Sequence, residues 1–381
     1  MKRSFLLRTA SPVPLVAAGA GLIAATYGLV RMAFGLFLPD VQADLGLDVA
    51  AAGGVSAGAS VVYCAGALLG FLTATRHARR LIVVAGLTAS IGALGMALAP
   101  TSFVFAVFAI ASSAGAGLAS PALVAVLQRN PSTARNPRHQ AIVNAGTGPG
   151  VILAGALALL LAPDWRLAWA LAAVVTVVAA VGVLVSDRSE ADAVAPPPAL
   201  PPLSWFAAHQ AVLAAAFLLG VGSAAVWTYG RTFLIESGTS GGVSMAAWIA
   251  LGVGGTAVIV TARWSLRPRA AWVVTAAAVT ASTAGVLAGG GWALVAFAVF
   301  GWGYTAGSGV LIAWTAQIDA ARAPAGTALL FVTLILGQAV GAAGVGAAIP
   351  VVGYAAAFAG AAVVTAVAVT PALGRVVRGG R

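Results

Sequence analysis

Long apolar runs, each about the 20 residues that carry a helix across a bilayer, alternate along this chain with short polar or charged interruptions. The first six occupy 13–38, 51–75, 81–99, 103–127, 141–162 and 167–185. Pro39-Asp40 closes the first, and an acidic connector with Asp40, Asp44 and Asp48 follows. Arg76, His77, Arg79 and Arg80 separate the second run from the third, and Arg129, Arg135 and Arg138 separate the fourth from the fifth. The segment 186–204 breaks the pattern with five prolines and with Asp187, Arg188, Glu190 and Asp192. Such a composition neither packs a core nor enters lipid. Six more apolar runs follow at 206–235, 243–262, 270–288, 292–317, 326–349 and 352–370. The pattern predicts an all-α membrane protein with twelve spans in two six-helix bundles. Its parts are an N-terminus (1–12), a first bundle (13–185), a linker (186–204), a second bundle (205–370) and a tail (371–381).

Composition sharpens the picture. Of the 381 residues, 61% are hydrophobic and only 8% charged, with a mean hydropathy of +1.02. Soluble domains carry roughly 25% charged residues, so a surface this poor in charge faces lipid. The formal charge of +11 falls in short clusters between apolar runs, as the positive-inside bias produces; no nucleic-acid partner is expected. Lys2, Arg3 and Arg8 could open a signal peptide. The run behind them continues past Gly28 with no small-x-small cleavage site in a polar setting, so it reads as a retained first span. Cys64 is the single cysteine, and His77, His139 and His209 have no metal-ligand spacing. Neither a metal nor another cofactor is expected.

Alternate connectors share one side of the membrane. One side collects Lys2, Arg3, Arg8, Arg76, Arg79, Arg80, Arg129, Arg135, Arg138, Arg188, Arg263, Arg267, Arg269, Arg322, Arg375, Arg378 and Arg381; the other holds only Arg166. This asymmetry predicts a multi-pass protein of the cell (inner) membrane with termini and linker in the cytoplasm. The halves also share short matches. Ala114-Gly115-Ala116-Gly117 answers Ala306-Gly307-Ser308-Gly309, and Thr26-Tyr27-Gly28 with Arg31 answers Thr228-Tyr229-Gly230 with Arg231. Glycines four apart, such as Gly66 and Gly70 or Gly337 and Gly341, suit close helix packing in lipid.

The six-plus-six layout and charged midpoint linker resemble the major facilitator superfamily over the whole length. Between spans two and three, Gly70-Phe71-Leu72-Thr73 opens the family's signature and Arg79-Arg80 closes it; Ala74 and Thr75 stand at its Asp and Arg positions. The gating salt bridge of that signature is therefore not expected, and Arg79 and Arg80 read mainly as topology charges. Gly115, Gly117 and Pro121 resemble the span-four motif, without the arginine that precedes it in drug exporters: Ala109 stands there. Gly148-Pro149 within 146–150 loosely resembles the exporters' span-five motif. Tyr27 to Pro39 also resembles the YbfB/YjiJ-like and cyanate-permease-like branches. The resemblance implies a secondary transporter, not an enzyme, moving a small solute by alternating access. Its site would lie where the halves meet near the membrane midplane.

Within the spans charge is nearly absent, so Arg31 and Arg231 stand out. Two readings remain open for each. A guanidinium facing the cavity would grip a carboxylate through its planar fork; one near a helix end would snorkel to the interface. Arg231 has Glu236 nearby as a partner. Further cavity candidates are Tyr27, Tyr229, Asn144, Tyr304 and Gln338, with Tyr63, Trp227 and Trp314 behind them. Gly70, Arg79, Arg80, Gly115, Gly117, Pro121, Gly148 and Pro149 are the gating and motif candidates. The substrate expected is a small organic anion or weakly polar metabolite. Efflux of hydrophobic compounds is the alternative; a membrane-embedded enzyme or a sensor is more remote. A monomer in the lipid bilayer is expected, with a coupling ion such as a proton left open.

Overall fold

The computed structural model describes residues 11–134, 136–189, 201–261 and 267–373. The N-terminal Lys2, Arg3 and Arg8, most of the linker, Arg135, Arg263 and the arginine-bearing tail lie outside them.

Ten helices among the described residues are long and apolar enough to cross a membrane. Two of them, Val49–Ala97 with 49 residues and Ala320–Leu373 with 54, have about twice the length of one crossing. Both double back. Val49–Ala97 breaks at His77 (φ −132°, ψ 26°), inside the polar run that separates spans two and three. On its first arm Gly66 meets Ala114 and Gly70 meets Pro121, parallel to the fourth span. On its second arm Gly92 meets Ser112 and Gly95 meets Phe108, so the chain has reversed. The other long helix turns at Gly353, whose φ of 79° is cheap only for glycine, three residues after Pro350. Before the turn Gly337 and Gly341 lie along Phe217 and Val221. After it Tyr354 meets Phe233 and Thr365 meets Gly222, in the reverse sense. Ten helices with two such hairpins make the expected twelve crossings.

The halves repeat one packing scheme. Spans one and five run parallel through Ala20 against Gly146 and Ala24 against Gly150; spans seven and eleven do the same through Phe217 against Gly337 and Val221 against Gly341. Two antiparallel pairs join the halves: span two with eleven, at Gly53 against Ala342, and span five with eight, at Gly148 against Thr256. Each is the counterpart of the other under a two-fold exchange of halves.

Three details depart from the sequence reading. The first span does not stop at Pro39. It runs as an α-helix (Val13–Ile23), a stretch of wide π-turns (Ala24–Met32), and a further α-helix (Ala33–Leu45) ending at Gly46 with φ 66°. A proline removes one backbone hydrogen bond and bends a helix, and packing on both sides carries it through. Asp40 and Asp44 are therefore helical, not in a connector. The fifth span is broken into Pro137–Asn144 and Thr147–Leu161 around Gly146, and so begins before residue 141. The eleventh span passes through Pro350 and turns only at Gly353.

Candidate functional site

The end of the bundle remote from Val13 and Leu373 is sealed. Arg231, 2% exposed, forms an ion pair with Asp40 of the first span. It also donates to the Leu36 carbonyl at 2.6 Å and to Ser244 Oγ at 3.3 Å. Tyr229 reaches between spans two and eleven, and its hydroxyl donates to the Val49 carbonyl at 2.9 Å. Gly53 and Gly346 flank that hydroxyl closely, where any side chain would collide with it. Ser56 Oγ and Thr228 Oγ1, 3.0 Å apart, join the halves one step deeper.

Beneath this seal lies a small cavity of about 40 Å³ between the halves. Its wall includes Arg31, Phe34, Ser56, Ser60, Ser113, Trp227, Thr228 and Gln338. Arg31 sits in the wide turns of span one. Its Nη2 donates to Ser60 Oγ and to Gln338 Oε1, both at 3.2 Å. Its guanidinium carbon lies 4.8 Å from the centre of the Tyr63 ring. Tyr63 is hydrogen-bonded to Tyr27 through their hydroxyls, and Gln338 Nε2 donates to the Tyr304 hydroxyl at 3.0 Å. Among the described residues no carboxylate lies within ion-pair distance of Arg31, and its Nε is buried without an acceptor. A partly buried guanidinium held only by neutral groups and a ring face retains most of its capacity for an anion.

Of the cavity candidates, Arg31 and Gln338 line the cavity together with Trp227; Tyr304 and Tyr27 do not line it but are linked to it, Tyr304 through Gln338 and Tyr27 through Tyr63, over whose ring Arg31 lies. Ser60, Ser56 and Thr228 join them without having been singled out in the sequence; small hydroxyls in Ala- and Gly-rich helices give no signal before the helices are packed. Three cavity candidates lie elsewhere. Arg231 is saturated in the seal, its partner Asp40 rather than Glu236, because the helix through Pro39 brings Asp40 alongside. Tyr229 is part of the same seal. Asn144 is exposed and accepts from Gln140 Nε2 at 3.0 Å. Trp314 is buried under the guanidinium of Arg269, away from the cavity.

The motif residues act in packing. Gly70 meets Pro121, Gly115 meets Ala85 and Ala89, Gly117 meets Tyr63 and Ala67, and Gly148 meets Thr256 across the halves. Pro149 is exposed. Arg79 is more than a topology charge: it pairs with Asp187 at 3.2 Å and donates to the Leu184 carbonyl at 3.2 Å. Asp187, at the end of span six, also receives Arg129 at 3.0 Å. A carboxylate from another helix end thus supplies what Ala74 lacks, within one half rather than between halves. Arg80 is exposed.

The family model of the Major Facilitator Superfamily matches residues 20–321. Among curated proteins no relative matches. Among solved structures the chain is similar to the nucleoside transporter NupG, at 15% identity and a TM-score of 0.73, covering 95% of this chain and 99% of that one. It is similar to the peptide transporter POT in complex with sulfate, at 15% identity and a TM-score of 0.73, covering 97% and 95%. It is also similar to a bacterial homologue of the human lysosomal transporter Spinster, inward-facing and unoccupied, at 15% identity and a TM-score of 0.62, covering 94% of each chain. At such identities the likeness is one of fold. The family match covers most of the sequence, and the twelve crossings and exchange-related halves agree with it: the chain belongs to the Major Facilitator Superfamily and has the fold of its secondary transporters.

Proposed function

We propose that this transporter carries a small organic anion by alternating access, with Arg31 gripping the anionic group. One observation carries the reading: a partly buried guanidinium at the cavity between the halves, with no carboxylate partner among the described residues and a buried, unmet Nε donor. An unneeded charge in a membrane span costs at least about 2.5 kcal/mol on insertion scales. Snorkelling would put Arg31 at the lipid interface, whereas its contacts are Ser60, Tyr63 and Gln338. POT in complex with sulfate is a fold neighbour that holds an anion, which makes the chemistry reasonable for such a bundle. The arginine segregation supports a cell-membrane location with termini and linker in the cytoplasm. The sealed end then faces outward.

The test is transport into proteoliposomes with a panel of organic anions. Arg31→Ala loses charge and fork, and Arg31→Lys keeps the charge alone. A lost charge-assisted hydrogen bond of about 1.5–3 kcal/mol corresponds to roughly a tenfold to hundredfold weaker affinity in Ala, with a smaller loss in Lys. Unchanged uptake and affinity in well-folded Arg31→Ala would refute the reading. The rings around Trp227, within 5.4 Å of Tyr304 and 5.8 Å of Phe300, favour a second reading, efflux of hydrophobic compounds. In that case neutral lipophilic ligands bind Arg31→Ala as well as the wild type.

A further inference from the structure

The structure assigns Gln338 a part in recognition: its amide oxygen is a neutral stand-in that occupies Arg31 in the empty carrier, and the carboxylate of the ligand displaces it. This deepens the anion reading above and rests on it.

A guanidinium grips a carboxylate with two parallel hydrogen bonds along one of two edges, Nη1 with Nη2 or Nε with Nη2. Both edges include Nη2. That nitrogen is the engaged one, donating to Ser60 Oγ and to Gln338 Oε1, each at 3.2 Å. Among the described residues Nη1 has only the Met32 sulfur, at 4.0 Å, and Nε has no acceptor. The protein thus fills the corner that a bidentate ligand must have, and such a ligand displaces Ser60 or Gln338.

Gln338 is the better suited to give way. Its carbonyl oxygen is the nearest neutral match to a carboxylate oxygen. It stands on three torsions, whereas the Ser60 hydroxyl stands on one beside its backbone. A guanidinium only donates, so the amide oxygen faces Arg31 and the amide nitrogen faces Tyr304, whose hydroxyl accepts at 3.0 Å. Gln338 can therefore pivot on Tyr304 without losing both partners at once. Space points the same way. A cavity of about 40 Å³ has room for about three waters, so an organic anion needs a wall side chain to move. A neutral occupant also sets the selection. A carboxylate bonds to a guanidinium more strongly than an amide oxygen does and takes its place. A neutral carbonyl ligand exchanges like for like and gains little.

A stand-in competes in the empty carrier, before any ligand arrives, so its removal tightens every anion by one common factor. A side chain that touches the bound ligand shifts each anion differently. Acetate, pyruvate and benzoate are titrated by calorimetry against the purified full chain. Gln338→Met keeps the side-chain length and removes the amide; affinity should rise about tenfold, equally for all three. Gln338→Leu, also without the amide, takes its place should Gln338→Met fail to fold. Gln338→Glu puts a carboxylate on Arg31, and affinity should fall by on the order of a hundredfold at neutral pH. A merely structural role would weaken binding in all of these variants. Unchanged, weaker or unequally altered affinities in the apolar variants overturn the inference, as does undiminished binding in Gln338→Glu. A common rise in Ser60→Ala in place of the Gln338 variants overturns it too. In each of these cases, loss of binding in Arg31→Ala leaves the anion reading standing. If none of the three probes binds the wild type, the inference falls, and the wider transport panel decides whether the anion reading falls with it.

Discussion

Arg31 and Arg231 occupy the first helices of the two halves, each just after a Thr-Tyr-Gly, yet their surroundings are opposite. Arg231 is saturated: a carboxylate, a backbone carbonyl and a hydroxyl surround its guanidinium, and two of the three come from outside its own helix and half. Arg31 is held by a serine, a glutamine oxygen and a ring face, and keeps a buried N–H unmet. The same residue type thus serves as a clamp where its charge is cancelled and as a receptor where it is not. The determining difference is Asp40, which the helix through Pro39 delivers to one arginine only.

The comparison can be broken most directly at Arg231. Removing one partner of a buried pair strands the other, at a cost of about 3–5 kcal/mol in fully buried cases. Asp40 is 24% exposed, so Arg231→Ala should lose about 3 kcal/mol in unfolding measurements in detergent, at the low end of that range. Replacing both partners with apolar residues (Arg231→Met with Asp40→Leu) should cost less than Arg231→Ala alone. Equal losses would mean that the pair does not act as a unit. Arg31→Ala, by contrast, removes two hydrogen bonds together with an uncancelled charge. These oppose each other, so its stability should stay within about 1 kcal/mol of wild type while binding collapses. A stability loss matching that of Arg231→Ala would make Arg31 structural as well.

The smallest effect is expected at the third arginine cluster, outside the spans. Burial works against ionisation of Asp187, but the hydrogen bonds from Ser189 and the Arg129 guanidinium outweigh it and hold the carboxyl below its ordinary 3.8. A group with a lowered native pKa stabilises the fold above its ordinary value and loses that contribution as pH falls through the lowered one. Asp187→Asn should therefore be less stable than wild type by about 1 kcal/mol at neutral pH, with Arg79 half exposed and the pair partly screened. The gap should close below about pH 4. A gap constant from neutral to acid pH would assign the contribution to packing. Arg80→Lys should change nothing measurable.

How much of this was legible in the sequence depended on the distance over which each signal acts. Spans are local: an apolar run, a proline or a cluster of arginines reveals itself within twenty residues, so twelve crossings and their hairpin turns could be read directly. Arg31 was legible for the same reason, as a lone charge in an apolar run. Its neighbours were not. Gln338 lies 307 residues away, and Ser60 is one small hydroxyl among many. Asp40 was misplaced because Pro39 looks like a helix end; whether a proline ends or merely bends a helix depends on packing that the sequence does not display. Asn144 and Tyr229 were polar residues inside apolar runs, and such residues serve cavity, seal or surface according to a helix rotation that single-chain periodicity leaves unresolved when every face is apolar.

The sealed end also has bare backbone resting on bare backbone. Gly35 lies against the carbonyls of Trp227 and Thr228, and Gly53 against that of Ala342. The Gly35 contact has no interlocking side chain of its own, so it can part and close again with no rotamer to rearrange there, and it behaves as a latch beside the Arg231 and Tyr229 contacts. The same bareness makes the latch vulnerable to a single methyl. Gly35→Ala would set a carbon against a main-chain oxygen that has no flexible atom to move aside, and the strain is relieved only when the halves swing apart. The substitution is thus a one-carbon wedge that tilts the balance of access states toward the opposite opening.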